Sequence, residues 1–139
     1  MPFVRISLYS RTGDIARRVG DCVHRAMMET IKIPAGDRFQ VVTQHDPGEI
    51  VYDPSFLGIE RTDGIVMIQI TLAAGRSREA KTALYGGIVK LLSDELDVRP
   101  EDVFITLLEA PPENFSFGNG EAQFADRLPP HLRQAGETS

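Results

Sequence analysis

Residues 3–8 alternate between apolar and polar side chains, a pattern that is typical of a β-strand with one buried face. Apolar residues then recur at helical spacing from Ile15 to Met27, which predicts an amphipathic helix. The proline and glycine of residues 33–36 end this helix pattern, because both residues disfavour its continuation. A second strand is predicted over residues 38–45.

The same order of patterns then repeats in the second half of the chain. Residues 46–63 contain two prolines and two glycines and are predicted to form a long loop, a type of segment that is often functional. Residues 65–72 are strongly apolar and predict a third strand. Ser77 is placed to cap a helix whose apolar stripe runs through residues 80–96, and residues 103–108 predict a fourth strand.

This repetition predicts a duplicated β-α-β unit. Short local similarities support it, since Pro34, Asp37 and Phe39 are echoed by Pro100, Asp102 and Phe104. The predicted fold is α+β (α/β), with a four-stranded mixed sheet and two helices on one face.

If the two units join along an antiparallel seam, distant residues meet at one edge of the sheet. The first two strands begin at the edge where the third strand ends. Pro2, Asp37 and Arg76 lie at these three points of the sequence.

The helices are expected to cover one face of the sheet and to leave the other face open. Phe3, Phe39, Ile65 and Met67 are predicted to lie on that open face. Monomers rarely expose an apolar patch of this kind, so we expect self-association through it.

Composition narrows the class of protein. The chain has 139 residues, which fits a single domain over residues 1–139 with a flexible tail from about residue 126. A net charge of −5 and a pI near 5.2 argue against a binder of nucleic acid or of membrane surfaces. One cysteine, no membrane-length apolar run and no secretory pattern together favour a cytoplasmic protein.

Pro2 offers the least common chemistry in the chain. Removal of Met1 would leave a secondary amine at the start of a strand, able to act as a general base, a cationic acid or a Schiff-base nucleophile. The alternative is that a Met-Pro start has no functional meaning. If Met1 stays in place, Pro2 is an amide without amine chemistry.

The other candidate groups also have ordinary interpretations. Asp37 is either a turn residue or a site carboxylate, and Arg76 is either a loop arginine or a bidentate carboxylate binder. We expect His24 on the surface and Cys22 in the core, and His45 has a smaller claim to the site. No histidine, cysteine or carboxylate cluster has metal-ligand spacing, so no metal or cofactor is expected.

Five segments in order resemble the malonate semialdehyde decarboxylase family of the tautomerase superfamily. They cover the chain from its second residue to about residue 124: Pro2, residues 33–40, residues 44–49, residues 75–77 and residues 115–120. The resemblance implies a homotrimer of duplicated β-α-β units.

The same resemblance implies the roles of individual residues. Pro2 falls on the catalytic proline, Asp37 on the active-site aspartate and Arg76 on one of two substrate-binding arginines. The aromatic pocket wall falls on residues near the carboxyl end: Phe115, Phe117, Phe124 and, more weakly, Leu128. The family's other arginine falls on Ala74, although Arg78 is near enough in sequence to compensate.

The resemblance implies a cofactor-independent decarboxylase that converts malonate semialdehyde to acetaldehyde and carbon dioxide. A tautomerase or hydratase of 2-oxo acids such as phenylpyruvate is the alternative that Ala74 favours, since it needs fewer cations. A related dehalogenase fits less well, because phenylalanines stand where it places an acid, unless Glu113 or Glu121 replaces that acid. The alternative of another class is a trimeric binding protein without catalysis.

Overall fold

The computed structural model describes residues 2–128, so most of the expected tail lies outside the described residues. Six main elements follow one another in the order strand, helix, strand, strand, helix, strand. Their bounds are Phe3–Tyr9 (β1), Ile15–Thr30 (α1), Phe39–His45 (β2), Val66–Ala73 (β3), Arg78–Leu96 (α2) and Val103–Ala110 (β4). Short 3₁₀ turns occur at Phe56–Gly58, Pro100–Asp102 and Pro112–Asn114.

The sheet has four strands in the order β2-β1-β3-β4. Strands β1 and β2 are parallel, β3 and β4 are parallel, and the central pair β1–β3 is antiparallel. Each parallel pair is therefore joined through a helix, and the antiparallel seam connects the two units. The predicted duplicated β-α-β architecture is confirmed.

The helix ends follow from local sequence. The Ser77 hydroxyl accepts a hydrogen bond from the Ala80 amide at 3.1 Å, which satisfies one of the free N–H groups at the start of α2. Asp97 ends α2 in the left-handed conformation, with φ at 54°. The predicted cap is therefore present in α2, whereas Asp14 makes no side-chain cap at the start of α1.

The hydrophobic core lies between the sheet and the two helices. It takes alternate side chains from the central strands and one face of each helix, and burying such an aliphatic side chain contributes about 1.5–3 kcal/mol. The buried members include Val4, Ile6, Leu8, Val19, Val23, Met27, Ile68, Ile70, Leu72, Leu84, Ile88 and Leu92.

The opposite face of the sheet carries exposed apolar side chains, as the pattern predicts. Phe3 is 37% exposed, Phe39 is 50% exposed and Phe104 is 46% exposed. The prediction is wrong for Ile65, which is 1% exposed. Ile65 shares a surface pocket with Phe56 of the 46–63 segment, so this segment folds back over the start of β3.

Specific hydrogen bonds hold the 46–63 segment in place. Asp102 accepts hydrogen bonds from the Thr62 amide at 2.7 Å and from the Thr62 hydroxyl at 2.6 Å. The Tyr52 hydroxyl donates to Asp63 at 2.6 Å, and this bond raises the pKa of Tyr52 to about 12. The long loop therefore has a defined conformation that these hydrogen bonds stabilise.

Side chains also tie the edge strand β2 to α1. The Gln40 amide donates to the Gly20 carbonyl at 2.9 Å, and Arg38 bonds both Gln40 and Asp21. A Cβ atom at Gly20 would lie 2.6 Å from the Gln40 carbonyl oxygen. Glycine at this helix position therefore leaves room for the Gln40 side-chain amide, which a larger residue would displace.

Among residues 2–128, no helix combines the length and the apolar character needed to cross a membrane.

Candidate active site

Pro2 is buried directly before β1, at an edge that three strands share. The register places Phe3 opposite Phe39 at the start of β2 and opposite Thr71 near the end of β3. The predicted meeting of these strand ends is confirmed.

A pocket of about 380 Å³ opens beside Pro2. It combines residues of the sheet edge with residues of the segment that follows β4. Its lining consists of Pro2, Phe3, Phe39, Thr71, Asn114, Phe115, Ser116 and Phe117. Four of these residues are phenylalanines, so aromatic rings form a large part of the wall around the proline.

The rings of the carboxyl-terminal segment support one another. Phe115 and Phe117 stack with centroids 5.9 Å apart, and Phe124 meets Phe117 edge-on with centroids 5.2 Å apart. Phe124 lies behind Phe117 and is not among the lining residues. Phe115, Phe124 and Leu128 also pack on the buried Ala73, so the segment is anchored to the end of β3.

Arg76 and Asp37 lie at the same edge as Pro2. Arg76 Nη1 donates to the Ala73 carbonyl at 3.2 Å, which fixes the guanidinium just beyond β3. Burial lowers the pKa of Arg76, while the nearby charges of Asp37 and Glu109 act in the opposite direction. An arginine in this setting keeps its charge at neutral pH, because its ordinary pKa is far higher.

Neither Arg76 nor Asp37 lines the pocket that contains Pro2. Both side chains are half-buried, and the Asp37 amide closes a turn by donating to the Pro34 carbonyl at 3.0 Å. The geometry thus gathers Pro2, Phe115 and Phe117 in one pocket and leaves Asp37 and Arg76 beside it.

Position 74 offers no donor side chain to this edge. Ala74 is exposed, and its backbone amide is engaged with the Ala110 carbonyl at 2.9 Å. Arg78, Glu113 and Glu121 are also exposed, and none of the three lines the pocket.

The histidines and the cysteine lie elsewhere. His45 ends β2 while Phe39 begins it, so about 20 Å separate His45 from the pocket edge. The expectation of a surface His24 is wrong, because His24 is 7% exposed and its Nε2 bonds the Ala35 carbonyl at 2.9 Å. Cys22 is in the core as expected, and burial raises the pKa of its thiol.

Sequence reasoning missed the neutral polar groups of the pocket, Thr71, Asn114 and Ser116. It also missed Phe3 and Phe39 as pocket walls, although it placed both on the open face. The strand register contains the relevant signal, since pairing β1 with β3 puts Thr71 beside Phe3.

A second depression lies between α1 and the end of α2 and is strongly charged. Its charges pair with one another, with Arg25 bonded to Glu95 at 2.6 Å and Arg38 bonded to Asp21 at 2.7 Å. These ion pairs link α1 to α2 and to Arg38, the residue directly before β2. Within residues 2–128, no group of three histidine, cysteine or carboxylate side chains could hold a metal ion.

The model of a family described as "Tautomerase enzyme" matches residues 37–118. A probable tautomerase of Bacillus subtilis (strain 168), YusQ, is 42% identical over 127 residues, which cover 91% of this chain and all of that protein. The chain belongs to the tautomerase family. A second probable tautomerase of the same organism, YrdN, is 29% identical, over 89% of this chain and 96% of that protein.

Within the tautomerase superfamily, the chain is similar to malonate semialdehyde decarboxylases. The structure of one, FG41 malonate semialdehyde decarboxylase inhibited by 3-bromopropiolate, is 39% identical with a TM-score of 0.82, over 88% of this chain and 93% of that one. The structure of another malonate semialdehyde decarboxylase, a protein with decarboxylase and hydratase activities, has a TM-score of 0.81. Its sequence is 32% identical, over 88% of this chain and 95% of that one. A fused 4-OT symmetric trimer, 19% identical with a TM-score of 0.73 over 90% and 99%, shares the fold.

Proposed function

We propose that the protein is a cofactor-independent decarboxylase of a small 3-oxo acid, converting malonate semialdehyde to acetaldehyde and carbon dioxide. Its reactive group is the Pro2 amine, freed by removal of Met1. The observation that carries the proposal is the burial of Pro2 in a pocket walled by phenylalanine rings, with Arg76 and Asp37 at the same edge. Similarity to malonate semialdehyde decarboxylases supports this choice among tautomerase activities.

Pro2 supplies the electron sink that decarboxylation needs. The protonated amine polarises the aldehyde oxygen, or the neutral amine condenses with the aldehyde to an iminium and releases water. The electron pair of the breaking carbon–carbon bond then moves toward the positive nitrogen or the polarised oxygen as carbon dioxide leaves. Protonation of the remaining carbon gives acetaldehyde, after hydrolysis in the iminium route.

Arg76 holds the carboxylate that is lost. Its guanidinium is fixed by the Ala73 carbonyl and presents its other donors toward substrate, since a guanidinium carries five N–H groups. The phenylalanine walls favour loss of the charged carboxylate, because a charge is costly to keep in apolar surroundings.

Asp37 acts on the protonation state of the amine. A carboxylate near Pro2 raises the pKa of the amine and keeps it cationic, or it orients a water for hydration. Its charge also acts on Arg76. Asp37 thereby acts on both cations of the site, Arg76, which holds the substrate, and the Pro2 amine, which reacts.

A tautomerase or hydratase acting on 2-oxo acids such as phenylpyruvate is the second candidate. Two observations favour it: Ala74 provides no second cation, and a pocket of about 380 Å³ with four phenylalanines has room for an aromatic substituent. In this reaction Pro2 works as a neutral base. The names of the relatives YusQ and YrdN agree with this candidate.

We further propose that the protein works as a homotrimer. The open sheet face exposes Phe3, Phe39 and Phe104, and a solved relative of the same fold is a symmetric trimer. Mass measurement in solution should give a trimer of the 15.4 kDa chain, and a monomer would contradict this proposal.

Acetaldehyde release from malonate semialdehyde tests the decarboxylase directly. Three proteins are compared: the chain beginning at Pro2, the same chain with an amino-terminal extension, and Pro2→Ala. The extension turns the Pro2 nitrogen into an amide without changing its side chain, so it isolates the amine.

Turnover in the first protein, with loss in the other two, supports a proline-dependent decarboxylase. Absence of turnover in all three overturns the decarboxylase, and phenylpyruvate tautomerisation is then measured with the same set. A chain that binds oxo acids and catalyses neither reaction is the non-catalytic trimeric binder.

A further inference from the structure

The pocket beside Pro2 has a polar side that the proposed mechanism does not use. Thr71, Asn114 and Ser116 are neutral polar residues in its otherwise aromatic lining. Asn114 and Ser116 are exposed on the segment after β4, whereas Thr71 is half-buried within β3. Of these three polar residues, Thr71 is the one that lies within the sheet.

The strand register places Thr71 next to the reactive end of β1. Thr71 pairs directly with Phe3, the residue that follows Pro2. Directly opposed residues in an antiparallel pair have Cβ atoms about 4.5–5.5 Å apart. The Thr71 side chain thus stands on the open face within the same pocket as Pro2.

The Thr71 hydroxyl is available for a ligand. The hydroxyls of Thr30 and Thr62 donate to the Ala26 carbonyl and to Asp102, respectively. Among residues 2–128, no hydrogen bond involves the Thr71 hydroxyl. A hydroxyl can both donate and accept a hydrogen bond, so the Thr71 hydroxyl can bond a ligand that enters the pocket.

Arg76 lies beyond Thr71, just past the end of β3. Arg76 bonds the Ala73 carbonyl, two residues beyond Thr71 toward the edge of the sheet. In the proposed function Arg76 holds the substrate carboxylate, and the oxo group is then assigned to the pocket that Pro2 and Thr71 share. Ala74 contributes no donor at this edge.

We infer that Thr71 is a substrate-binding residue whose hydroxyl donates a hydrogen bond to the oxygen on carbon 3 of the substrate. This inference rests on the proposed function, because it assumes a 3-oxo acid with its carboxylate at Arg76. Thr71 then distinguishes acids with an oxygen on carbon 3 from plain short-chain carboxylates.

Two unreactive ligands isolate this contact from catalysis. 3-Hydroxypropanoate carries an oxygen on carbon 3, and propanoate lacks it while keeping the carboxylate. Their dissociation constants are measured by NMR titration of the protein that begins at Pro2. We expect 3-hydroxypropanoate to bind about threefold to tenfold more tightly, the worth of one neutral hydrogen bond.

Matched variants assign the preference to the hydroxyl. Thr71→Val keeps the shape and removes the hydroxyl, so the ratio of the two dissociation constants should fall to about one. Thr71→Ser should restore the preference. Thr43→Val, at an exposed position toward the far end of β2, should keep the ratio of the unsubstituted protein, and thermal unfolding confirms that each variant is folded.

A preference that persists in Thr71→Val, or that is absent from the unsubstituted protein, overturns the inference. Because the ratio is measured without turnover, the binding contact is tested independently of whether the protein is a decarboxylase. Loss of the ratio in Thr71→Val without acetaldehyde production would keep the binding contact and reject the decarboxylase.

Discussion

Asp37 and Asp102 each lie two residues before a half-exposed phenylalanine near the start of an edge strand, yet their surroundings differ. Phe39 is the first residue of β2, and Phe104 is the second residue of β4. Asp102 is 2% exposed and holds the amide and hydroxyl of Thr62. Asp37 is half-buried and acts on the charge of Arg76. Of these two corresponding carboxylates, Asp102 anchors a loop, whereas Asp37 lies at the sheet edge that carries Pro2.

We expect Asp102→Ala to lower the free energy of unfolding by about 3 kcal/mol, because the amide and the hydroxyl of Thr62 both lose their charged acceptor. Denaturant unfolding followed by circular dichroism measures the change. Glu101→Ala is the control, since its ion pair with Arg99 is exposed and contributes less than about 1 kcal/mol. Equal effects of the two substitutions would contradict the anchoring role of Asp102.

Arg76→Lys should reduce kcat/KM for malonate semialdehyde by about tenfold to a hundredfold, because lysine keeps the charge and loses bidentate binding. Steady-state kinetics of acetaldehyde release provides the measurement. Arg78→Ala is the matched control, since Arg78 is exposed at the start of α2. A comparable loss in Arg78→Ala would mean that Arg78 supplies the missing second cation.

Ala74→Arg should raise kcat/KM for the same substrate by about tenfold, since it adds a charged hydrogen bond to the carboxylate. The backbone bond from Ala74 to Ala110 does not involve the side chain, so the strand pairing should be retained. Ala74→Gln serves as the uncharged control of similar length. Unchanged or lower kcat/KM in Ala74→Arg would show that the carboxylate lies outside the reach of position 74.

Ionisation of Tyr52 at alkaline pH should remove the stabilising contribution of its hydrogen bond to Asp63 in the 46–63 segment. The folded-state pKa of about 12 lies above the ordinary value of 10.0, first through the hydrogen bond to Asp63 and then through burial. A raised pKa stabilises the fold below the unfolded value, and this contribution is lost as pH rises from 10 to about 12.

Ultraviolet absorbance of tyrosinate, recorded against pH, follows this ionisation. Tyr52→Phe should remove the transition near pH 12, and its thermal unfolding midpoint should fall less steeply across the same pH range. Tyr85→Phe is the control that should keep both features. Persistence of the transition in Tyr52→Phe would refute the assignment.

Periodicity, together with turn and cap residues, sufficed to predict the six main elements and their order. The Ser77 cap follows from a local pattern. The shared edge of Pro2, Asp37 and Arg76 follows from the topology of β-α-β units once an antiparallel seam is assumed. These features depend on neighbouring residues or on general topology, so a single sequence contains them.

The errors arose where a segment without periodicity folds back onto an element. His24 has polar neighbours in the helical pattern, but the turn after α1 brings the Ala35 carbonyl onto its ring. Ile65 lies on the open face, but the 46–63 segment covers it. Predicting that Thr71 lies in the pocket requires the register between β1 and β3. That register depends on the packing of the sheet and cannot be read from the sequence of either strand.

The hydrogen bond from Gln40 to the Gly20 carbonyl affects how β2 opens during amide hydrogen exchange. β2 is an edge strand paired with β1 alone, so its amides would ordinarily exchange with solvent deuterium early. Because Gln40 and Arg38 join this strand to α1, strand and helix should instead open as one cooperative unit. The edge that carries Phe39 would then keep its shape between global unfolding events, and Gly20→Ala, which crowds Gln40, should speed deuterium uptake in β2 and α1 together.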